Sequence, residues 1–281
     1  MNINYIKRSK ILFSLALIFR MLTLKRLRGA GFRHNLSPKE KEILKTLQED
    51  GIVVIPGYFS QTECSVLRSE YDLFAPTGSL YCPNENEKRV FGMDRLSDKI
   101  KSLFSEDKVA WKVCESYLGE PMRLQTTMSA RIDFKEGVKY GSGGSWHRDS
   151  FSRQVKSFSY LVDMTSENGP FMYIKGSHKL LNILKVIWSN FENTPAGNTR
   201  YSDQYIVNAQ KVLNQEIVYH TCKAGDLILA DIRGLHTTSK VQKGYAYSIF
   251  NYYIASRDHQ QDSSAMKSSE ACVNKHLGSL E

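Results

Sequence analysis

The sequence predicts a mainly β body, a sandwich or barrel, with flanking helices ahead of it. From Leu124 to Lys135 apolar and polar residues alternate without a break, which is the period of a strand with one face buried. Further short strands, separated by turn residues, are expected at Ser157–Met164, Phe171–Ile174, Glu216–His220, Asp226–Ala230 and Tyr245–Ile254. Upstream, two helix starts are written as capping boxes, Ser37-Pro38-Lys39-Glu40 and Ser60-Gln61-Thr62-Glu63. In each, a serine caps the helix and a glutamate three residues on reaches back to it.

The chain has 281 residues, 41% of them hydrophobic and 24% charged. That suits one large domain or two small ones and excludes disordered, collagen-like and disulfide-scaffold classes. The net charge of +9 is unevenly placed. Lys7, Arg8, Lys10, Arg20, Lys25, Arg26, Arg28 and Arg33 lie in the leading arm with no acid, leaving 30 basic against 29 acidic residues for the rest. A nearly neutral body disfavours nucleic acid as a partner. Cys64, Cys82, Cys114, Cys222 and Cys272 are scattered with no CxxC pair, which fits reduced thiols and a cytoplasmic location, peripheral at the membrane if the arm binds it.

Residues 1–36 make a basic amphipathic N-terminal arm. Its apolar run Ile11–Phe19 rises only about 14 Å as a helix, too short to span a bilayer. As a signal peptide it lacks an A-x-A site and is followed at once by Arg20, Lys25 and Arg26. The preferred reading is a helix lying on an anionic membrane surface through residues 5–28; the alternative is a helix packed on the body or on another subunit.

Residues 37–256 form the domain proper. The first capping box opens a helix to about Glu49, Gly51–Pro56 is a short buried strand, and the second box opens a helix to about Phe74. Thr77–Asp98, with Gly78, Pro83, Asn84, Asn86 and Gly92, is expected to be a loop able to act as a lid. In the strand that follows, Leu124, Thr126, Met128, Ala130, Ile132 and Phe134 take one face. Gln125, Thr127, Ser129, Arg131, Asp133 and Lys135 take the other, which faces solvent or a polar cavity. Gly137–Gly144 is a glycine-rich link, Asn182–Gln210 a specificity loop with a polar flap at Asn190–Gln204, and residues 257–281 a polar C-terminal tail.

In Trp146-His147-Arg148-Asp149 the imidazole and the carboxylate stand at i and i+2, so in an extended chain both point to the same side. His236, just past the apolar run Leu227–Ala230, is the third candidate ligand. Two histidines and one carboxylate on one face of an octahedron is the non-haem Fe(II) oxygenase arrangement. Taken alone, His-x-Asp also describes an ordinary structural pair. His178, in a Gly-Ser-His turn, and His220, at a strand end, are read as structural.

Around these residues the chain resembles the phytanoyl-CoA dioxygenase family of Fe(II)/2-oxoglutarate-dependent oxygenases. The resemblance rests on Glu49–Phe59, the Trp146–Asp149 core, Asp163–Gly169 running into Lys175–Lys179, and Ala224–Ala230 leading to His236. It covers roughly residues 44–254. It implies a double-stranded β-helix, a jelly-roll or cupin-like barrel, with His147, Asp149 and His236 holding iron in one mouth. It also implies that O2 and 2-oxoglutarate are used to hydroxylate a small-molecule or lipid-linked substrate, with succinate and CO2 released. Asp149, in place of Ala or Gly, argues for hydroxylation over halogenation.

One departure concerns the cosubstrate. Family members carry an Arg about nine to thirteen residues after the distal His, whose fork binds the distal carboxylate of 2-oxoglutarate. That window here reads Tyr245-Ala246-Tyr247-Ser248-Ile249. Lys243 and Arg131 are the candidate replacements. Lys135 matches a family lysine near the cosubstrate, Thr238 a hydroxyl position that assists its binding, and Gln125 begins the polar strand face that could line the barrel. A barrel that binds metal without turning over 2-oxoglutarate is the rival reading. The chain has no GxSxG, GxxxxGK[ST], HExxH or GxGxxG motif, which weakens a hydrolase or nucleotide enzyme.

Overall fold

The computed structural model describes residues 9–27, 34–77, 80–84, 86–138, 144–190 and 194–255, with isolated helical residues at 267, 270–271 and 273–275. Most of the C-terminal tail, parts of the Gly137–Gly144 link and of the Asn190–Gln204 flap, and the outermost residues of the 5–28 stretch lie outside the described residues.

Among the described residues the helices of a full turn or more that bear on the site are α1 (Lys10–Leu27), α2 (Pro38–Asp50), α3 (Gln61–Phe74), α4 (Lys108–Leu118), α5 (Leu180–Ser189) and α6 (Asp203–Leu213). The strands are β1 (Ile52–Ile55), β2 (Leu80–Asn84), β3 (Glu87–Phe91), β4 (Met122–Asp133), β5 (Gln154–Tyr160), β6 (Phe171–Ile174), β7 (Ile217–His220), β8 (Leu227–Asp231), β9 (His236–Thr238) and β10 (Tyr245–Ala255). They form a seven-stranded sheet in the order β1-β8-β5-β10-β4-β3-β2 and a three-stranded sheet in the order β7-β6-β9. Every pairing is antiparallel.

Both capping boxes form. The Ser37 hydroxyl accepts from the Glu40 amide and the Glu40 carboxylate accepts from the Ser37 amide, and Ser60 and Glu63 repeat the arrangement. Gly51 ends α2 at φ 82°, a left-handed conformation that favours glycine. A Cβ there would meet the His178 ring at 2.3 Å.

The chain stacks in layers. One face of the large sheet, with Val155, Leu229, Ile249 and Tyr253, packs on Ile43 and Leu47 of α2, Leu67 and Tyr71 of α3, and Val113 and Leu118 of α4. The other face, with Ile52, Ile132, Phe158, Tyr160, Ile228 and Ala246, meets Phe171 and Tyr173 of the small sheet. The outer side of the small sheet, Met172 and Ile174, is covered by α6 through Tyr205, Ile206 and Ala209. Two facing antiparallel sheets enclosing a shared core make the double-stranded β-helix that the sequence led us to expect.

Three expectations change. The Thr77–Asp98 stretch is not a loop: β2 and β3 form a hairpin that extends the large sheet, followed by helical turns at Met93–Leu96 and Asp98–Ile100. The Asn182–Gln210 loop contains most of α5 and the first part of α6.

The faces of β4 are also reversed. Met128, Ala130 and Ile132 look into the barrel, while Thr127, Ser129 and Arg131 share the side of their register partners Asn251, Ile249 and Tyr247, beneath the helices. Polar groups are tolerated there because they are paired: Thr127 donates to Asn251 at 2.7 Å and shares a 2.7 Å hydrogen bond with Ser105. A register shift opposite Tyr252 and Tyr253 makes Gln125 the extra residue of a β-bulge.

Candidate metal centre

His147 and His236 are tied backbone to backbone. The His147 amide donates to the His236 carbonyl at 2.9 Å and the His236 amide returns the bond at 3.0 Å. The Asp149 amide donates to the Ile232 carbonyl at 3.0 Å, which continues the extended course through the motif. Between the two ligands the Arg148 side chain turns the other way, is buried, and donates to the Ser177 carbonyl at 2.8 Å and to the Arg233 carbonyl. The i, i+2 spacing therefore places His147 and Asp149 together as alternation requires.

His147 Nε2 lies 3.2 Å from Asp149 Oδ1, and His236 Nε2 lies 3.5 Å from the same oxygen. One ligand atom from each of the three residues falls within 4.8 Å of the others. Each Nδ1 is placed against a backbone carbonyl, Ser145 at 3.0 Å for His147 and Gly234 at 2.9 Å for His236. A proton on Nδ1 donated to that carbonyl leaves each Nε2 lone pair aimed at the common point, as a metal requires. The donor set therefore fits a divalent iron, which these three residues would hold.

The turn that delivers His236 is built on a buried ion pair. Asp231, at the end of β8, accepts from Arg233 at 2.7 Å and from the Tyr117 hydroxyl at 2.5 Å. Tyr173 donates to the Asp231 carbonyl at 2.8 Å. Any Cβ on Gly234 would stand 1.8 Å from that Tyr173 hydroxyl, so the turn admits only glycine at this point.

Lys156, on β5, places its ammonium 2.5 Å from Asp149 Oδ2 and over the Tyr252 ring. Burial opposes charge on Asp149, but the Lys156 ammonium beside it outweighs that and holds its carboxyl well below the ordinary range. Burial also works against the Lys156 charge, and Asp149 outweighs it, raising the lysine. His236 is pushed down by burial and then by the neighbouring His147, which keeps it neutral, the form that ligates metal. Beside His236 the Phe171 ring stacks at 5.4 Å, followed by Phe158 and Phe250 at 5.1 and 5.0 Å, an apolar wall that keeps water from the barrel side.

The cosubstrate candidates fare differently. Thr238 is the register partner of Phe171 and looks into the barrel. Gln125 sits in its bulge at the metal end, beside Thr126, the register partner of Tyr252. Arg131 does not line the barrel: it faces the helices, bound to Asp133 at 2.8 Å and to the Tyr247 hydroxyl at 3.0 Å, which in turn donates to Asp72. Lys135 and Lys243 are exposed outside β4 and β10. Of the two histidines read as structural, His178 is buried against the Gln48 carbonyl at 3.2 Å, and His220 lies beside Phe171, so neither joins the triad.

Lys156 was missed in the sequence. Its signal was a single cation in the line Lys156, Phe158, Tyr160, which otherwise faces a core.

The sequence profile of the phytanoyl-CoA dioxygenase (PhyH) family matches residues 47–242. The chain belongs to the phytanoyl-CoA dioxygenase family. Ectoine dioxygenase of Halomonas elongata is 26% identical over 219 residues, covering 69% of this chain and 63% of that protein. The chain thus spans less than two thirds of this curated relative. Among solved structures, the non-heme alpha ketoglutarate dependent epimerase SnoN from nogalamycin biosynthesis superposes with a TM-score of 0.59 at 18% identity, covering 77% of this chain and 83% of that one. EctD from S. alaskensis with 2-oxoglutarate and 5-hydroxyectoine gives 0.58 at 18% identity, covering 81% and 79%. These likenesses establish the fold of this phytanoyl-CoA dioxygenase family member.

Proposed function

We propose that the protein is an Fe(II)/2-oxoglutarate-dependent dioxygenase that hydroxylates a small molecule, with O2 as the oxidant and 2-oxoglutarate as the co-reductant. The observation that carries this is the convergence of the His147, Asp149 and His236 ligand atoms, with both Nδ1 positions engaged by backbone carbonyls. When bound, iron supplies the activation of O2 that side chains lack. His147, Asp149 and His236 hold the metal, Lys156 balances the Asp149 carboxylate, and Thr238 faces the space where a cosubstrate carboxylate would extend. Phe158, Phe171 and Phe250 exclude water.

The test is anaerobic addition of Fe(II), then 2-oxoglutarate, to the apo-protein. The expected result is a visible charge-transfer band that is absent in His147→Ala. The rival, a metal-binding barrel without 2-oxoglutarate turnover, draws on the Tyr245–Ile249 window, which holds no arginine. It predicts tight metal binding with no band at millimolar 2-oxoglutarate.

For the substrate we favour one presented at a membrane surface. The inner stripe of α1, Phe13 and Leu17, packs with Ile183 and Ile187 of α5 and with Phe151, two residues beyond Asp149. Its outer stripe, Ile11, Leu15 and Phe19, is exposed together with Trp188, whose indole donates to Ser14 at 3.1 Å. An exposed apolar stripe with Lys10 and Arg20 at its ends suits an anionic bilayer. No described helix is long and apolar enough to cross a membrane. Sedimentation with anionic vesicles that is lost in Leu15→Ser/Phe19→Ser supports this substrate reading, and unchanged sedimentation overturns it.

A further inference from the structure

We infer that Arg89 receives the distal carboxylate of the dicarboxylate cosubstrate, taking the place of the arginine that β10 lacks. This rests on the cosubstrate reading above.

The barrel-facing residues of β10 are Ala246, Ser248, Phe250 and Tyr252, none of them cationic. Register carries the search sideways. Arg89 on β3 pairs with Ala130 on β4, Ala130 with Ser248 on β10, and Ser248 with Tyr160 on β5. Side chains of register partners point to the same side of a sheet, and Ala130 and Tyr160 belong to the clusters on the barrel side. Arg89 therefore looks into the barrel, whereas its neighbour Val90 packs beneath the helices.

Two strand spacings of about 4.8 Å separate Arg89 from Ser248, with only the Ala130 methyl between. Together Ala130, Ala246 and Ser248 leave a floor of small side chains that the long arginine can cross.

Glu87 positions the group: its carboxylate takes the Arg89 Nε at 2.5 Å, which holds the fork from its Nε side. The Arg89 side chain is 16% exposed, so its charge acts within a shielded space.

The charges agree. Without ligands, Glu87 with Arg89 and Asp149 with Lys156 form two neutral pairs. A divalent metal adds two positive charges to this buried space, and a dicarboxylate dianion restores neutrality.

The experiment compares two 2-oxo acids on Mn(II)-loaded protein by anaerobic calorimetry. 2-Oxoglutarate carries the distal carboxylate and 2-oxobutyrate lacks it. Arg89→Met is expected to weaken 2-oxoglutarate by about 100-fold and to leave 2-oxobutyrate unchanged. Glu87→Gln/Arg89→Met removes both charges and gives the same comparison should the single variant fail to fold. Undiminished 2-oxoglutarate binding, or equal loss of both acids, overturns the anchor alone. Failure of wild-type protein to bind 2-oxoglutarate overturns the cosubstrate reading and the anchor with it.

Discussion

Replacing Lys156 by Met removes a charge while keeping the length of the side chain. The ammonium stands 2.5 Å from Asp149, with the two side chains 15% and 22% exposed, so solvent screens the pair little. Removing one partner of this partly shielded pair costs between the roughly 1 kcal/mol of a surface pair and the roughly 3–5 kcal/mol of a fully buried one. For a body of this size that lowers the melting temperature of the metal-free protein by about 2–20 °C.

The sign with pH follows from Asp149. Held below its ordinary value in the fold, it contributes stability above its unfolded pKa and loses it as pH falls through the folded one. Without Lys156 its folded pKa rises, so the gap between variant and wild type narrows on acidification. Mn(II) then supplies the missing counter-charge, and saturation should raise the variant more than the wild type. Circular dichroism melts in chelator, then in excess Mn(II), read both effects. A metal-free loss below about 1 kcal/mol, or equal metal stabilisation of both proteins, would refute the account.

Gly234→Ala forces a methyl into the Tyr173 hydroxyl and shifts the carbonyl that orients His236. Mn(II) affinity by spin-resonance titration should fall about 10- to 100-fold. Burial lowers His220 from 6.5 to about 4, so the unfolded chain takes up its proton first as pH falls. Between those values wild type should lose up to about 3 kcal/mol relative to His220→Gln, measured by denaturant titration. Arg131→Ala, which removes a half-exposed pair with Asp133, should change stability by about 0–1 kcal/mol and leave 2-oxoglutarate affinity unchanged, measured by the same calorimetry.

What was legible in the sequence was what local spacing encodes. The Ser37 and Ser60 boxes need residues only three apart, and both form. His-x-Asp in an extended stretch places two ligands on one side whatever surrounds them, and the apolar strand before His236 supplied the third. The β2–β3 hairpin was hidden because Pro83, Asn84 and Asn86 are turn residues, yet an edge strand tolerates Pro where a central one does not. With the hairpin went the phase of Arg89. In β4 the alternation separated two faces correctly, but both are covered, one by helices and one by the opposing sheet. Periodicity cannot say which cover lies on which side, so Arg131 was assigned to the wrong one.

The seat of α1 has a practical consequence. Phe13 and Leu17 close over Ile183, Ile187 and Phe151, so a shortened chain starting near residue 37 would lay these side chains bare. Such a truncation invites self-association during expression, and it loosens the segment immediately after Asp149. A tag is better placed at the C-terminal end, and any purified preparation lacking the first helix should be checked by light scattering before its metal content is measured.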